Sequence, residues 1–283
     1  MVSNQDINKH REAGCTGITQ DKKYYEVGNS FIKRTLRRHE WIITTIPKLA
    51  PSACLPQRWK TDAAILAYLR DKTDIPLPRM QFTFEDDGAF YFSTELVPGV
   101  TMTHLTAEQK QVVTKELLEH VATLKSLRSD TPGVPGQTLL CAPNRVQSGF
   151  WKPHSCWRPK PDMEKGDYVF CHNDLGQHNV IVDPETLKIN AIIDWEYGGF
   201  WPEWFEQPYW KRPGPGGPIG DEEDDTERCY EWLLAHCDEV EMQHLRSLRK
   251  SWKSRESWRG RGDACSEPPI ETNLGQPLRV IEV

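Results

Sequence analysis

The sequence predicts an α+β protein with two unequal lobes. Three observations carry that reading. Strand-like segments crowd the first hundred residues, a long amphipathic helix follows them, and a hairpin rich in Asp and Asn sits in the second half.

Residues 1–22 are polar and read as a loosely ordered N-terminus. Residues 24–34, YYEVGNSFIKR, read as one or two short strands. Residues 61–72 read as a helix with Ile65, Leu66 and Leu69 on one face. The prolines of DIPLPR (74–79) stop it, because each disfavours helix at the residue before it. Residues 80–85 and 89–97 are strand-like and joined by the turn Asp86-Asp87-Gly88. A helix is expected over about 107–128. Thr106 with Gln109 forms a capping-box pattern, and Val113, Leu117, Val121, Leu124 and Leu127 keep the helical period. Residues 131–166 are rich in Pro and Gly and read as irregular. The acidic run 221–225 suits the N-terminus of a helix expected over 226–249. The rest is basic and then Pro-rich, with little apolar periodicity. The expected organisation is a small lobe over 23–98, a larger helical lobe over 99–249 and a disordered tail over 250–283.

Composition narrows the class. No run of about 18 apolar residues exists, so no membrane-spanning helix is expected, and no apolar signal segment opens the chain. The eight cysteines are scattered without a C-x-x-C pair, which speaks for a reduced, cytoplasmic protein. The net charge of −6 speaks against a general nucleic-acid binder. No repeat is visible, and the chain is expected to be a monomer.

The segment 170–199, FCHNDLGQHNVIVDPETLKINAIIDWEYGG, concentrates the chemistry. Its apolar runs VIV and INAII flank the turn DPETLK, so it reads as a hairpin. Residues opposite one another in an antiparallel pair have a constant index sum, here about 371–373 for a turn centred near 186. Asn179 and Asp194 sum to 373 and therefore share the open end of the hairpin, with Asp174 on the incoming loop. An amide oxygen and a carboxylate at one strand end are hard ligands suited to Mg²⁺, and Asp174 is near enough to handle a proton.

The pattern H-N-D-x₄-N followed by I-I-D-W-E resembles the catalytic core of the aminoglycoside phosphotransferase and choline-kinase-like family, over about residues 24–245. With Gly198, Phe200, Pro202 and Glu203 it most resembles that family's fungal branch. The resemblance implies a protein-kinase-like bilobal fold with a β-rich nucleotide-binding lobe and a larger helical catalytic lobe. It implies an ATP- and Mg²⁺-dependent transfer of the γ-phosphate to a hydroxyl of a small-molecule acceptor. Asp174 then resembles the catalytic base, and Asn179 and Asp194 the metal ligands. His172 resembles the structural histidine of the catalytic loop, bonded to backbone. Lys33, in Phe31-Ile32-Lys33, resembles the strand lysine that contacts phosphates. Asp62 stands where the family has a glutamate partner for that lysine. Glu95 and Val97 resemble the hinge whose backbone meets adenine.

Two departures keep a second reading open. Asp62 is one methylene shorter than Glu, and no G-x-G-x-x-G precedes Lys33. A pseudokinase-like nucleotide-binding module without turnover is the alternative; the joint presence of Asp174, Asn179 and Asp194 opposes it. A third reading takes His172, Asp174 and His178 (H-x-D-x₃-H) as a metallohydrolase site that binds metal without ATP. The aromatic segment 199–210 reads as core packing rather than a pocket wall. The basic stretch 246–261 reads as a solvated helix end running into the tail.

Overall fold

A computed structural model describes residues 8–9, 11–19, 21–40, 54–149, 155–214 and 216–241. The first part is a five-stranded antiparallel sheet of order β1-β2-β3-β5-β4. Its strands are β1 (Cys15–Ile18), β2 (Lys22–Val27), β3 (Ser30–Thr35), β4 (Met80–Asp86) and β5 (Ala89–Glu95). The 24–34 segment forms the β2–β3 hairpin, and Lys33 pairs with Tyr24 on one side and Phe92 on the other. β1 lies inside the stretch expected to be loose; pairing to β2 holds it. Lys23 and Arg34, both buried in the sheet, converge on the buried Glu40.

Helix α1 (Leu55–Lys72) packs against this sheet and starts six residues before the expected position. Pro56 sits in its first turn, which needs no N–H there and which proline's φ suits. Leu55, Trp59, Ile65, Leu66 and Leu69 are buried, with Trp59 against Phe90 and Phe92. Thr73 closes the helix by donating its backbone N–H and its hydroxyl to the Leu69 carbonyl.

After β5 the chain runs through residues 96–99 into β6 (Val100–Thr101) and α2 (Ala107–Ser126). Both halves of the Thr106–Gln109 capping box are formed. Val113, Leu117, Val121 and Leu124 are buried, as the period requires. The later strands form three small antiparallel sheets. β10 (Val180–Val182) lies between β11 (Ile189–Ile192) and β6. β9 (Tyr168–Cys171) lies between β12 (Gly199–Trp201) and β7 (Arg128–Ser129). β8 (Ser155–Pro159) pairs with β13 (Cys237–Glu241). Within the stretch expected to be irregular, a short helix α3 (Asn144–Gly149) and β8 are formed.

One element is corrected. Helix α4 spans Thr226–His236, and the chain then turns into strand β13 instead of continuing helically. The partner strand β8 lies some eighty positions earlier, so local periodicity could not announce the switch. The expected continuation to 249, the basic stretch 246–261 and the tail 250–283 lie outside the described residues. The aromatic segment is core. Trp201 and Phe205 are fully buried and stack on each other, and Trp232 of α4 packs edge-on to both. The whole is an α+β, protein-kinase-like bilobal fold: a sheet with its helix, a short connection, and a helix-bearing second part.

Candidate active site

The hairpin expected at 180–192 has the register read from its sequence. Val180 faces Ile192 and Ile181 faces Ala191, index sums of 372, with a one-residue shift at Val182–Ile189. Asn179 and Asp194 therefore flank its open end; the Asn179 carbonyl accepts the Ile193 N–H at 2.9 Å. Asp194 has φ of +62° and Asn173, just before Asp174, has φ of +66°. Left-handed backbone at two non-glycine residues is held by surrounding structure and concentrates at functional sites.

Lys33 reaches down from β3 and is 5% exposed. Its ammonium bonds the Asp194 carboxylate and stands 3.7 Å from Asp62 of α1. The shorter aspartate thus still sits within ion-pair distance. Burial works against the lysine's charge, but Asp194, Asp62 and Glu196 outweigh it and raise its pKa. Burial also works against Asp194, yet Lys33 and Lys22 bring it down to about 2. Asp62 is pushed up to about 7, first by burial and then by Asp194 and Glu196, with Lys33 pulling the other way.

Asp174 is half-buried. Its carboxylate lies 3.4 Å from the Asn179 amide nitrogen, which also donates to the Asp174 carbonyl at 2.8 Å. Burial, then Asp194 and Glu196, raise its pKa to about 7. His172 is fully buried. Its Nδ1 accepts the Asp174 backbone N–H at 3.2 Å, and its Nε2 donates to the Ile193 carbonyl at 3.0 Å. Burial lowers its pKa to about 4, so the ring is neutral at physiological pH. His178 lies against Gly176, and among the described residues no three His, Cys, Asp or Glu side chains gather as a metal cluster.

Of these groups Lys33, Asp62 and Asp194 line a cleft of about 290 Å³, and Asp174 and Asn179 stand outside its lining. Glu95, Leu96 and Val97 line it as well, with Leu66, Phe92 and Ile193. Glu95 donates its backbone N–H to the Arg79 carbonyl, while the Val97 amide has no partner among the described residues. As for a cation, the donors on offer are hard. The Asn179 Oδ1 accepts no hydrogen bond among the described residues, and the Glu196 Oε2 is buried without a partner beside the Asp194 carboxylate's field. That set fits Mg²⁺.

Three residues that the side-chain pattern did not single out hold the loop. Glu206 accepts the backbone N–H groups of His172 and Asn173. Arg145, bonded to Asp225, donates to the Phe205 carbonyl and reaches the Asn173 carbonyl at 3.4 Å. Gly216 lies against Asp174, where a Cβ would fall 2.0 Å from the carboxylate Oδ1. Backbone partners leave no trace in a one-dimensional pattern, so nothing in the sequence flagged the first two. The third stood in plain view only as part of a glycine-proline loop.

Within this protein-kinase-like fold a sheet-borne lysine thus meets a helix aspartate and a hairpin aspartate. The family model described as the APH phosphotransferase enzyme family matches residues 26–206, and the chain belongs to that family. It is 26% identical over 153 residues to an aminoglycoside 3'-phosphotransferase of Streptomyces fradiae, a match covering 42% of this chain and 52% of the relative. A second such relative, from Streptomyces ribosidificus, is 25% identical over 160 residues, covering 54% and 46%. The chain thus spans about half the length of the curated relatives it matches. Among solved structures, an aminoglycoside-3'-phosphotransferase of type VIII superposes with a TM-score of 0.43 at 18% identity, over 69% of this chain and 77% of the other.

Proposed function

We propose that this chain transfers the γ-phosphoryl group of ATP, with Mg²⁺, to a hydroxyl of a small molecule. The observation that carries the reading is the meeting of Lys33, Asp62 and Asp194 in a cleft that the Glu95–Val97 connection also lines, with the Asp174–Asn179 pair on the loop that leads into the same hairpin. Phosphoryl transfer needs reactants held in line and phosphate charge neutralised, and this arrangement offers both. The curated relatives are named for phosphotransfer to aminoglycosides; only the reaction class is carried over from them.

In this reading residues 23–98 bind nucleotide and 99–249 supply catalysis. The Val97 amide meets adenine. Lys33 steadies the phosphates and exchanges its contact with Asp194 for one with them. Asn179 and Asp194 hold the metal, which supplies charge neutralisation on the phosphates. Asp174 orients the acceptor hydroxyl and takes its proton; a pKa near neutrality suits that task. His172 keeps the loop's shape.

The test pairs two variants. Asp174→Asn keeps size but removes proton acceptance, so turnover with any active acceptor falls about 10²–10⁴-fold while ATP affinity barely moves. Lys33→Met weakens ATP binding or misplaces the γ-phosphate, and turnover falls with every acceptor, water included. ATP turnover and equilibrium ATP binding are measured for all three proteins. A wild type that binds ATP yet turns over with no acceptor is the binding module instead. Turnover undiminished in Asp174→Asn removes that residue from the mechanism.

A further inference from the structure

A second cavity, of about 390 Å³, opens beside the catalytic loop. Lys110, Gln111 and Thr114 of α2 form one wall, and Gln177, Trp210 and Lys211 the other. Positions 107, 110, 111 and 114 share one face of the helix, so its first two turns turn side chains into the cavity together. The lining carries two lysines and no carboxylate. That is unusual in a chain with 41 acidic against 35 basic residues. Lys22, Lys23, Lys33, Lys60, Lys125, Lys165 and Lys188 each stand against an acid, whereas neither Lys110 nor Lys211 forms an ion pair among the described residues.

An independent observation points to a ligand. Gln177 is 3% exposed; its Nε2 donates to the Trp210 carbonyl at 2.9 Å, but its Oε1 is buried with no hydrogen-bond partner. A buried acceptor left unmade is costly, and a turn of the side chain toward the cavity that its residue lines would let a ligand's donor relieve that cost. The cavity therefore offers two cations, a hydroxyl and an amide, and one of the residues that line it, Gln177, carries an unpartnered oxygen. Its complement is a molecule that carries an anionic group and a hydroxyl.

We propose that this cavity receives the carboxylate or phosphate ester of the acceptor, so that acceptors are hydroxyl compounds bearing negative charge. The inference rests on the phosphotransferase reading above. Gln177 follows Asp174 by three residues, so their Cα atoms stand no more than about 11 Å apart. An acceptor reaching from Asp174 to the cavity that Gln177 lines has about that distance to cover, which a sugar phosphate or a polyhydroxy acid can do. A polycationic acceptor meets two like charges here, which sets this site's preference against the charge of an aminoglycoside.

The test uses the full chain with MgADP present to fill the nucleotide cleft. Glycerol 3-phosphate, glycerol and inorganic phosphate are titrated calorimetrically into wild type and into Lys110→Gln/Lys211→Gln. The expected result is that wild type binds glycerol 3-phosphate in the millimolar range or tighter, glycerol more weakly, and that the double variant loses about 10- to 100-fold for the two phosphate-bearing ligands and little for glycerol. Gln177→Leu, which removes the waiting acceptor, should weaken glycerol 3-phosphate more than inorganic phosphate. If the double substitution leaves glycerol 3-phosphate affinity unchanged, or wild type binds none of the anions, the inference is overturned. A kinetic arm separates the two readings. Active acceptors that are all neutral or cationic, with constants untouched by the double substitution, overturn this inference and leave the phosphotransferase standing. Anion binding lost in the double variant without any ATP turnover in wild type leaves the cavity's preference standing and overturns the phosphotransferase.

Discussion

Replacing Asp225 by Asn isolates the charge that anchors Arg145. Both side chains are 1% exposed, and they meet through two bonds, Nε to Oδ1 at 2.7 Å and Nη2 to Oδ2 at 2.9 Å. Asp225 precedes α4, yet its carboxylate caps no backbone N–H there; it accepts two bonds from Arg145 and further ones from the Gln207 amide at 3.2 Å and the Cys229 thiol at 3.5 Å. Asn is isosteric, so no cavity opens and the effect is the loss of one negative charge beside a guanidinium that cannot reach water. Unit charges in such contact at an effective dielectric of about 20 interact by roughly 4 kcal/mol. Removing one partner of a buried pair typically costs about 3–5 kcal/mol. At about 2–4 °C per kcal/mol for a chain of this size, the melting temperature falls by roughly 6–20 °C. Urea unfolding followed by tryptophan fluorescence reads it, since Trp201, Trp204 and Trp232 surround the pair's core. Replacing both partners, Arg145→Met with Asp225→Leu, should recover at least half of the loss, because no unpaired charge then remains. A loss under about 1 kcal/mol in Asp225→Asn, the range of exposed pairs, would refute the reading that this pair is sealed from solvent.

Two further outcomes follow from the catalytic loop. His172 is held neutral to about pH 4 by burial, while in the unfolded chain it titrates near 6.5. Its stabilising contribution, up to about 3 kcal/mol, is complete above pH 6.5 and is lost as pH falls towards 4. Glu206, raised to about 7, titrates with the opposite sign, so the effect is read as a difference: between pH 7.5 and 4.5 wild type should lose more stability than His172→Asn. Parallel pH profiles would show that the imidazole protonates in the fold. Separately, Gly216→Ala places a methyl against the Asp174 carboxylate and turns it from Asn179; turnover should fall at least about tenfold with the melting temperature nearly unchanged, and unimpaired turnover would show that Asp174 has room to spare.

Where one face of an element is buried, its sequence was legible. The VIV and INAII runs fixed the hairpin register to within one position, because a slip would turn buried Val180, Val182, Ala191 and Ile192 outward. The capping box located the start of α2 for the same local reason. Lys33, Asp62, Asp174, Asn179 and Asp194 could be singled out because they carry chemistry in their own side chains; the fold brings Lys33 to Asp62 and Asp194, and Asn179 to Asp174. What stayed hidden depends on distant partners. β13 exists because β8 offers it a ladder, and Glu206 and Arg145 matter through carbonyls and amides that any residue could supply. The early start of α1 lay outside the stretch that the apolar face of 61–72 marked, and the proline in its first turn serves as a beginning.

The small sheet β6-β10-β11 has a mechanical consequence. Val100 and Thr101, directly after the connection between the lobes, pair with Val182 and Ile181, directly after the catalytic loop. Asn190 of β11 ties to the Pro98 carbonyl at 2.9 Å, and Gly99, at φ of +126°, brings its Cα so near that a Cβ would fall 2.5 Å from the Val182 carbonyl oxygen. Any swing of the first lobe over the second must therefore pivot ahead of Pro98. The span from Pro98 to the β10–β11 hairpin then moves as one unit during such a swing. Lys33 and Asp62, borne by the lobe that swings, are the parts whose alignment is made and unmade.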